Sequence, residues 1–210
     1  MEQLQKMLIA YNQSIPEGAR YSWSKQYLIA PFPRYWQVVY STLSTLDKSL
    51  RILEIGAGQG DVTAISCHLG FKSVVAYERE SNDAKIAQEK IISLFKKDNV
   101  ILNTAYPHGY EDTDVMIMVN CVYADECLNK EEYLQRLLYF YKSAGLPKTV
   151  LLEVIDSSYS VPDNDFPTWI RLSKQDIRDL FPNANISVFN TYSYPVNKRT
   201  KNLYIIRHSE

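Results

Sequence analysis

Apolar positions near the start of the chain recur at the three- to four-residue spacing of a helix. This spacing runs from Leu4 to Tyr11 and again from Trp36 to Leu43. It predicts two helices, each with one buried face. The residues between them, 21–33, are rich in aromatic side chains and interrupted by prolines. We interpret this segment as a structured loop or a series of short turns.

From residue 50 onward, short continuous apolar runs alternate with helical patterns. The runs predict strands over residues 50–55, 73–78, 99–102, 114–120 and 148–156. Helical patterns follow over residues 60–70, 81–95, 129–141 and 173–182. This alternation indicates an α/β fold with a parallel sheet covered on both faces. Two further strands, joined by the turn PVNKRTK, predict an antiparallel pair at the end of the chain.

Glycine is concentrated directly after the first predicted strand. Three of the seven glycines, Gly56, Gly58 and Gly60, lie in the segment LEIGAGQGD. Glycine lets the backbone turn sharply and approach a ligand closely, because it carries no side chain. In doubly wound sheets, ligands bind beyond the carboxyl ends of the strands. This loop is therefore the predicted ligand site.

Two classes of ligand compete for such a loop. The dinucleotide fingerprint G-x-G-x-x-G binds a pyrophosphate, whereas the spacing here is G-x-G-x-G. Glu54 and Asp61 stand on either side of the glycines, and these acidic residues suit a cation better than a diphosphate. Glu78, at the end of the second predicted strand, is placed to accept the hydroxyls of a ribose. Dinucleotide enzymes use the same position, so Glu78 indicates a nucleoside without choosing the cofactor.

The segment LRILEIGAGQGDVT resembles the first motif of the class I S-adenosylmethionine-dependent methyltransferases, E/D-x-G-x-G-x-G. The resemblance extends over about residues 34–210. It implies a doubly wound, seven-stranded, mostly parallel sheet with an antiparallel last strand. It also implies that the loop passes under the methionine part of S-adenosylmethionine, with Glu54 near the cofactor's amino end. Spermidine synthases share this fold, so the fold alone does not choose the reaction.

The resemblance implies a set of cofactor-binding positions along the carboxyl ends of the strands. They are Glu54, Gly56, Ala57, Gly58, Gly60, Glu78, Asn103, Thr104 and Asn120. The chain departs from the pattern after the third strand, where many relatives carry an aspartate that contacts the adenine amino group. Asn103 or Thr104 takes that place here. Asn120, after the fourth strand, is implied to lie beside the methionine moiety.

Methyl transfer requires alignment of the acceptor with the methyl group and, for some acceptors, a base that removes a proton. The candidate catalytic bases are His108, Asp125 and Glu126. His108 lies in a predicted loop near the strand ends, and the two carboxylates follow the fourth strand. Tyr123, in the same segment, is a candidate substrate contact. The D/N-P-P-Y signature of nucleobase and amide N-methyltransferases is absent from this segment.

The aromatic segment before the first strand is a candidate lid, because family members often cover the cofactor with an N-terminal segment. Tyr21, Trp23 and Tyr27 are either substrate contacts in this lid or packing residues. We accordingly divide the chain into residues 1–47, with the N-terminal helices and the lid, and residues 48–210, which bind the cofactor.

Charge and cysteine content narrow the remaining classes. The net charge is −1, which disfavours nucleic-acid and membrane partners. The three cysteines lack Cys-x-x-Cys spacing and predict neither a metal site nor disulfides, which suggests a cytoplasmic protein. Metal-dependent O-methyltransferases of this class place carboxylates after strands four and five. Asp156 fits one place, but Asn120 occupies the other, so we expect no metal.

The sequence therefore predicts an enzyme that transfers a methyl group from S-adenosylmethionine to an oxygen or nitrogen of a small molecule. A sugar, an aromatic compound or a secondary metabolite is the expected acceptor, and the protein is expected to be a monomer or a homodimer. Two alternatives remain open. One is a nicotinamide-dependent oxidoreductase, and the other is a non-catalytic cofactor-binding scaffold of the same fold.

Overall fold

The computed structural model describes residues 1–109, 112–121, 127–160, 166–193 and 200–208. The chain divides into two compact units, Met1–Tyr106 and Pro107–Glu210. None of the helices in the described ranges combines the length and the apolar character that crossing a membrane requires.

The first unit contains the N-terminal helices and three parallel strands. Its helices are α1 (Glu2–Ser14), α2 (Arg34–Ser44), α3 (Thr63–His68) and α4 (Ser81–Phe95). Its strands are β1 (Arg51–Ile55), β2 (Ser73–Tyr77) and β3 (Ile101–Leu102), in the order β3-β2-β1. Short 3₁₀ turns at Glu17–Ala19 and Ser22–Tyr27 connect α1 to α2.

The core of this unit forms where helices cover the strands. Four of the five residues of β1 are buried, as expected for a parallel strand with both faces covered. Trp36 of α2 is fully buried and stacks edge-on against Phe32, with ring centroids 4.8 Å apart. The predicted short turns between the first two helices are confirmed, and two of their aromatic residues, Tyr27 and Phe32, pack into the core.

The second unit continues the alternation and ends in antiparallel strands. Its helices are α5 (Lys130–Ser143) and α6 (Lys174–Leu180). Its strands are β4 (Val115–Met118), β5 (Thr149–Asp156), β6 (Arg171–Leu172), β7 (Asn185–Ser193) and β8 (Thr200–Arg207). β5 pairs in parallel with β4 and β6, whereas β8 runs antiparallel to β5 and β7.

The predicted α/β fold, mostly parallel with an antiparallel end, is confirmed. The described residues form eight strands rather than seven, because the two-residue β6 adds to the far end of β5. The helix after β1 begins at Thr63, three residues later than the pattern predicts. The reason is that Gly60 has a φ of 78°, which prolongs the loop before the helix begins. The helix α6 begins where the pattern predicts, and Ser173 and Asp176 form a capping box at its start.

Candidate functional site

The glycine loop leaves the end of β1 and is fixed at once to the end of β2. The main-chain amides of Gly56 and Ala57 both donate to the carbonyl oxygen of Tyr77, at 2.9 and 3.0 Å. Gly56, Gly58 and Gly60 all have positive φ angles, of 74°, 53° and 78°. Residues with side chains rarely adopt this conformation. The G-x-G-x-G spacing therefore produces the bend itself.

Gly58 and Gly60 have different surroundings. A Cβ atom on Gly60 would lie 3.1 Å from the Cβ of Ala87 in α4, so this glycine lets the loop pack closely on the helix. A Cβ atom on Gly58 would meet no atom within 4 Å. The middle of the loop thus faces open space, which is the side from which a ligand can approach the backbone.

Glu78, the residue after β2, contacts the middle of this loop. Its Oε2 accepts a hydrogen bond from the amide of Gly58 at 2.7 Å, and its Oε1 accepts one from the amide of Glu80 at 2.8 Å. A carboxylate has about four lone-pair sites. After these two bonds it can still accept two donors, which is the number that a ribose diol presents. The structure thus brings together two residues that the sequence assigned to one ligand.

Asn103, after β3, is exposed and turns toward the same edge. Its side-chain amide donates to the main-chain oxygens of Glu78 and Arg79, at 3.0 and 3.2 Å. Thr104 is half-buried, and its main-chain amide donates to Leu102. Of the two candidates for the adenine contact, Asn103 is therefore the one whose side chain is held beside Glu78.

Glu54 is buried inside β1, with 3% of its surface exposed. Its Oε2 accepts a hydrogen bond from the hydroxyl of Thr63 at 2.7 Å. Burial is the main cause that raises the pKa of Glu54 to about 8, and the bond from Thr63 opposes this change. The negative charges of Asp61 and Glu78 add to the increase in this pKa. Burial therefore favours the protonated form of Glu54 in the ligand-free protein.

Asp61 ends the loop in a buried ion pair that sequence reasoning missed. Its Oδ1 accepts hydrogen bonds from Lys90 Nζ at 2.7 Å and from Asn12 Nδ2 at 3.0 Å. Its main-chain oxygen accepts one from the indole of Trp36 at 2.9 Å. Lys90 is fully buried, and burial lowers its pKa while the charge of Asp61 opposes that change.

The sequence does carry a signal for this pair. Lys90 falls between Ala87 and Ile91, two residues of the buried face of α4. Asn12 likewise continues the buried positions Leu4 and Leu8 of α1. A polar residue in an apolar helical face calls for a buried partner.

The aromatic residues of the N-terminal segment differ in their positions. Tyr27 is 3% exposed, its hydroxyl lies 2.6 Å from that of Tyr35, and its ring contacts Phe32 edge-on. Of the two roles that the sequence allows for Tyr27, these contacts favour packing over contact with a substrate. Tyr21 is half-buried, and the side chain of Trp23 lies outside the described part of the structure.

The remaining predicted residues belong to the second unit. His108 is exposed, whereas Tyr123, Asp125 and Glu126 lie outside the described residues. Asn120 follows β4 with a φ of 53°. Its amide donates to Glu153 at 3.0 Å, and its side-chain oxygen accepts from Lys201 at 3.1 Å.

The carboxylate of Asp156, at the end of β5, accepts a hydrogen bond from Asn202 at 2.6 Å. Within the described ranges, no three His, Cys, Asp or Glu side chains are grouped so that they could hold a metal ion.

Comparison with solved structures identifies proteins of similar fold. The magnesium protoporphyrin IX methyltransferase of Synechocystis, solved with S-adenosylmethionine, has a TM-score of 0.59 and 15% identity, over 97% of each chain. An O-methyltransferase from Bacillus cereus, solved with S-adenosylhomocysteine, has a TM-score of 0.54 and 16% identity, over 99% of this chain and 91% of that one. A candidate RNA methyltransferase from Pyrococcus horikoshii has a TM-score of 0.55 and 14% identity, over 100% of both chains.

No protein-family model matches the sequence, and no curated protein matches it. The likeness to solved structures at this level of identity concerns the fold. It agrees with the strand arrangement of each unit. The chain therefore has the Rossmann-like fold of the S-adenosylmethionine-dependent methyltransferases.

Proposed function

We propose that the protein binds S-adenosylmethionine and transfers its methyl group to an oxygen or nitrogen of a small-molecule acceptor. One observation carries the proposal, namely the contact between the amide of Gly58, whose Cβ side is open, and the carboxylate of Glu78. This contact puts an acceptor for a ribose beside a backbone that a ligand can approach. The fold shared with methyltransferases supports the choice of reaction.

The charges around the loop favour a sulfonium nucleoside over a dinucleotide. A pyrophosphate needs free backbone amides, but the amide of Gly58 already donates to a carboxylate. The carboxylate of Glu78 lies against the middle of the loop, whereas the charge of Asp61 is offset by Lys90. Glu54 lies at the start of the loop, and a cation beside it would favour its charged form. A ligand with a positively charged sulfur and an ammonium group therefore suits these surroundings better than a diphosphate does. This argues against the nicotinamide-dependent alternative.

In this proposal, each cofactor-binding residue receives the part of the ligand that its chemistry suits. Glu78 accepts the ribose hydroxyls, Asn103 contacts the adenine, and Glu54 lies toward the amino end of the methionine moiety. Gly56, Ala57, Gly58 and Gly60 supply the backbone under that moiety. Asn120, which follows β4 in the second unit, is the remaining proposed cofactor-binding residue. Thr104 is the second candidate for the adenine contact.

The acceptor is proposed to be a sugar, an aromatic compound or a secondary metabolite. His108, Asp125 and Glu126 are the proposed bases, and Tyr21, Trp23 and Tyr123 the proposed acceptor contacts. Tyr27 is the weakest substrate candidate, because its hydroxyl and ring are already engaged with Tyr35 and Phe32. We place the lid in residues 1–47 and the cofactor-binding domain in residues 48–210.

Calorimetry with S-adenosylhomocysteine tests the cofactor assignment. We expect one site per chain and a thermal shift on saturation, because a ligand that binds only the folded state stabilises it. Absence of both the heat and the shift would refute the assignment. Enhanced NADH fluorescence on mixing would instead favour the oxidoreductase.

Turnover separates an enzyme from a scaffold. We expect release of S-adenosylhomocysteine, measured as homocysteine after hydrolysis, with a member of a panel of hydroxylated and amino metabolites. Cofactor binding without turnover on any acceptor would favour the scaffold.

A further inference from the structure

We infer that Asp61 is a positioning residue that couples helix α1 to the glycine loop through Asn12, so that docking of α1 and binding of the cofactor stabilise each other. This inference rests on the proposed function, because the ligand that it invokes is S-adenosylmethionine or its product.

The loop is held at three points along its length. At its start, Gly56 and Ala57 donate to Tyr77, and in its middle Gly58 donates to Glu78. Both of these contacts are made to the end of β2. The side chain that ends the loop, Asp61, contacts helices instead of strands.

Those contacts come from three separate helices. Asn12 of α1 and Lys90 of α4 donate to the same side-chain oxygen of Asp61, and Trp36 of α2 donates to its main-chain oxygen. The exposed fractions of Asn12, Lys90 and Asp61 are 1%, 0% and 6%. Buried donors of this kind are costly to leave without an acceptor. The positions of the three helices and of the loop therefore depend on one another.

The amide of Asn12 shows that this contact is more than packing. Its Oδ1 is buried and finds no hydrogen-bond partner in the described structure. A leucine at this position would extend the buried face of Leu4 and Leu8 without leaving a polar atom unpaired. What the amide adds to the protein is its hydrogen bond to Asp61.

A second contact joins the same two parts of the chain. Gln59, in the loop, donates through its side chain to the main-chain oxygen of Ala19 and to Asp83, both at 3.1 Å. Its own Oε1 is buried and unpaired among the described residues. The loop thus contacts the N-terminal segment through residues on both sides of Gly60, and each contact leaves one acceptor unsatisfied.

The contacts of Asn12 with Asp61 and of Gln59 with Ala19 fix the loop to the N-terminal segment. They imply that the loop and the segment stabilise each other. If α1 stabilises the bend that binds the cofactor, then the bound cofactor stabilises the docking of α1 by the same factor. The effect should appear as a change in α1 although no ligand contact with α1 is required.

Hydrogen exchange on the wild-type chain gives the first test. Saturation with S-adenosylhomocysteine should slow the exchange of amides 6–14 in α1 at least threefold, beside the expected slowing in residues 56–61. Binding that protects the loop but leaves the exchange of α1 unchanged would overturn the inference. Absence of any binding would refute the proposed function instead, so the two failures are distinguishable.

The variant Asn12→Leu gives the second test. In the free protein, this variant should keep or raise the midpoint of thermal unfolding. It should weaken the binding of S-adenosylhomocysteine about tenfold, and the ligand should no longer slow hydrogen exchange in α1. A purely structural role would lower stability and affinity together. Wild-type affinity in a folded Asn12→Leu variant would overturn the inference.

The matched control is Lys6→Met on the same helix. The Lys6 side chain is 74% exposed and pairs with Glu2 across one turn. This variant should change neither the affinity for S-adenosylhomocysteine nor the protection of α1 by more than twofold. A loss as large as that of Asn12→Leu would show that any change in α1 affects the loop, and it would overturn the specific role of Asn12.

Discussion

The carboxylate of Glu78 accepts a hydrogen bond from the backbone amide of Gly58 at 2.7 Å, which links the ends of the first two strands at the proposed ribose site. One side chain thereby supports the bend and presents acceptors to a ligand. Changes at this residue should affect binding more than they affect the fold.

Substitution of Glu78 by glutamine should weaken the binding of S-adenosylhomocysteine about 10- to 100-fold. The reason is that hydrogen bonds to a charged group contribute about 1.5–3 kcal/mol, and the glutamine amide cannot accept as a carboxylate does. Calorimetry measures the change. Glu80→Gln is the matched control, because Glu80 is exposed and its side chain pairs with the neighbouring Arg79 at 3.5 Å. Equal losses in the two variants would contradict the assignment of Glu78.

Gly58→Ala should mainly lower the affinity for the ligand, whereas Gly60→Ala should mainly lower the stability of the fold. Both positions have positive φ angles, so each variant should lose about 1–2 kcal/mol of stability from the backbone alone. At Gly60, the added methyl group would also lie 3.1 Å from the Cβ of Ala87, closer than ordinary van der Waals contact, so Gly60→Ala should unfold at the lower temperature. At Gly58 the methyl group enters open space, so Gly58→Ala should lose more affinity for S-adenosylhomocysteine.

Thermal unfolding of the free variants and calorimetry separate the two effects. If Gly58→Ala bound the ligand as tightly as the wild type does, the ligand would not approach the middle of the loop.

Glu54 should contribute less and less to the free energy of unfolding of the ligand-free protein as the pH rises from about 4.5 to about 8. Its pKa is raised from 4.5 in the unfolded reference to about 8 in the fold, chiefly by burial. In this range the native state binds more protons than the unfolded state, so stability decreases with pH. Glu54→Gln should remove this contribution. Urea unfolding of both proteins between pH 5 and 8 measures the difference, and parallel pH profiles would contradict it.

Asn103→Ala should abolish the preference for adenine over hypoxanthine. S-adenosylhomocysteine and S-inosylhomocysteine differ at the base, where only the first carries the amino group that Asn103 is proposed to contact. We expect the wild type to prefer the adenine ligand by several-fold, since a neutral hydrogen bond contributes about 1 kcal/mol. Thr104→Val is the control and should keep the preference. If only Thr104→Val lost the preference, the adenine contact would be assigned to Thr104 instead of Asn103.

The features that the sequence predicts well are those set by neighbouring residues. The strand β1 follows from a continuous apolar run, the bend after it from three glycines, and the start of α6 from Ser173 and Asp176. The apolar run before Glu78 likewise puts this residue at the end of a strand. Its contact with Gly58 follows from the pairing of β1 with β2.

The features that were missed join residues far apart in the chain. Lys90 meets Asp61 across 29 positions, and Asn12 meets it across 49. Local patterns place each of these residues on a helical face, but they do not say which faces meet. The late start of α3 was missed because glycine permits a positive φ at position 60 without requiring one, so the sequence does not show how far the loop continues.

Gly60 and Ala87 are in contact, so the size of these two residues determines the distance between the loop and α4. Their combined volume sets how far the loop stands from the helix. A larger side chain at position 87 would push the loop away from α4, and Gly60 has no atoms to remove in compensation. The distance between the loop and the helix therefore has a fixed lower limit, and any enlargement at either position narrows or shifts the space beside Gly58.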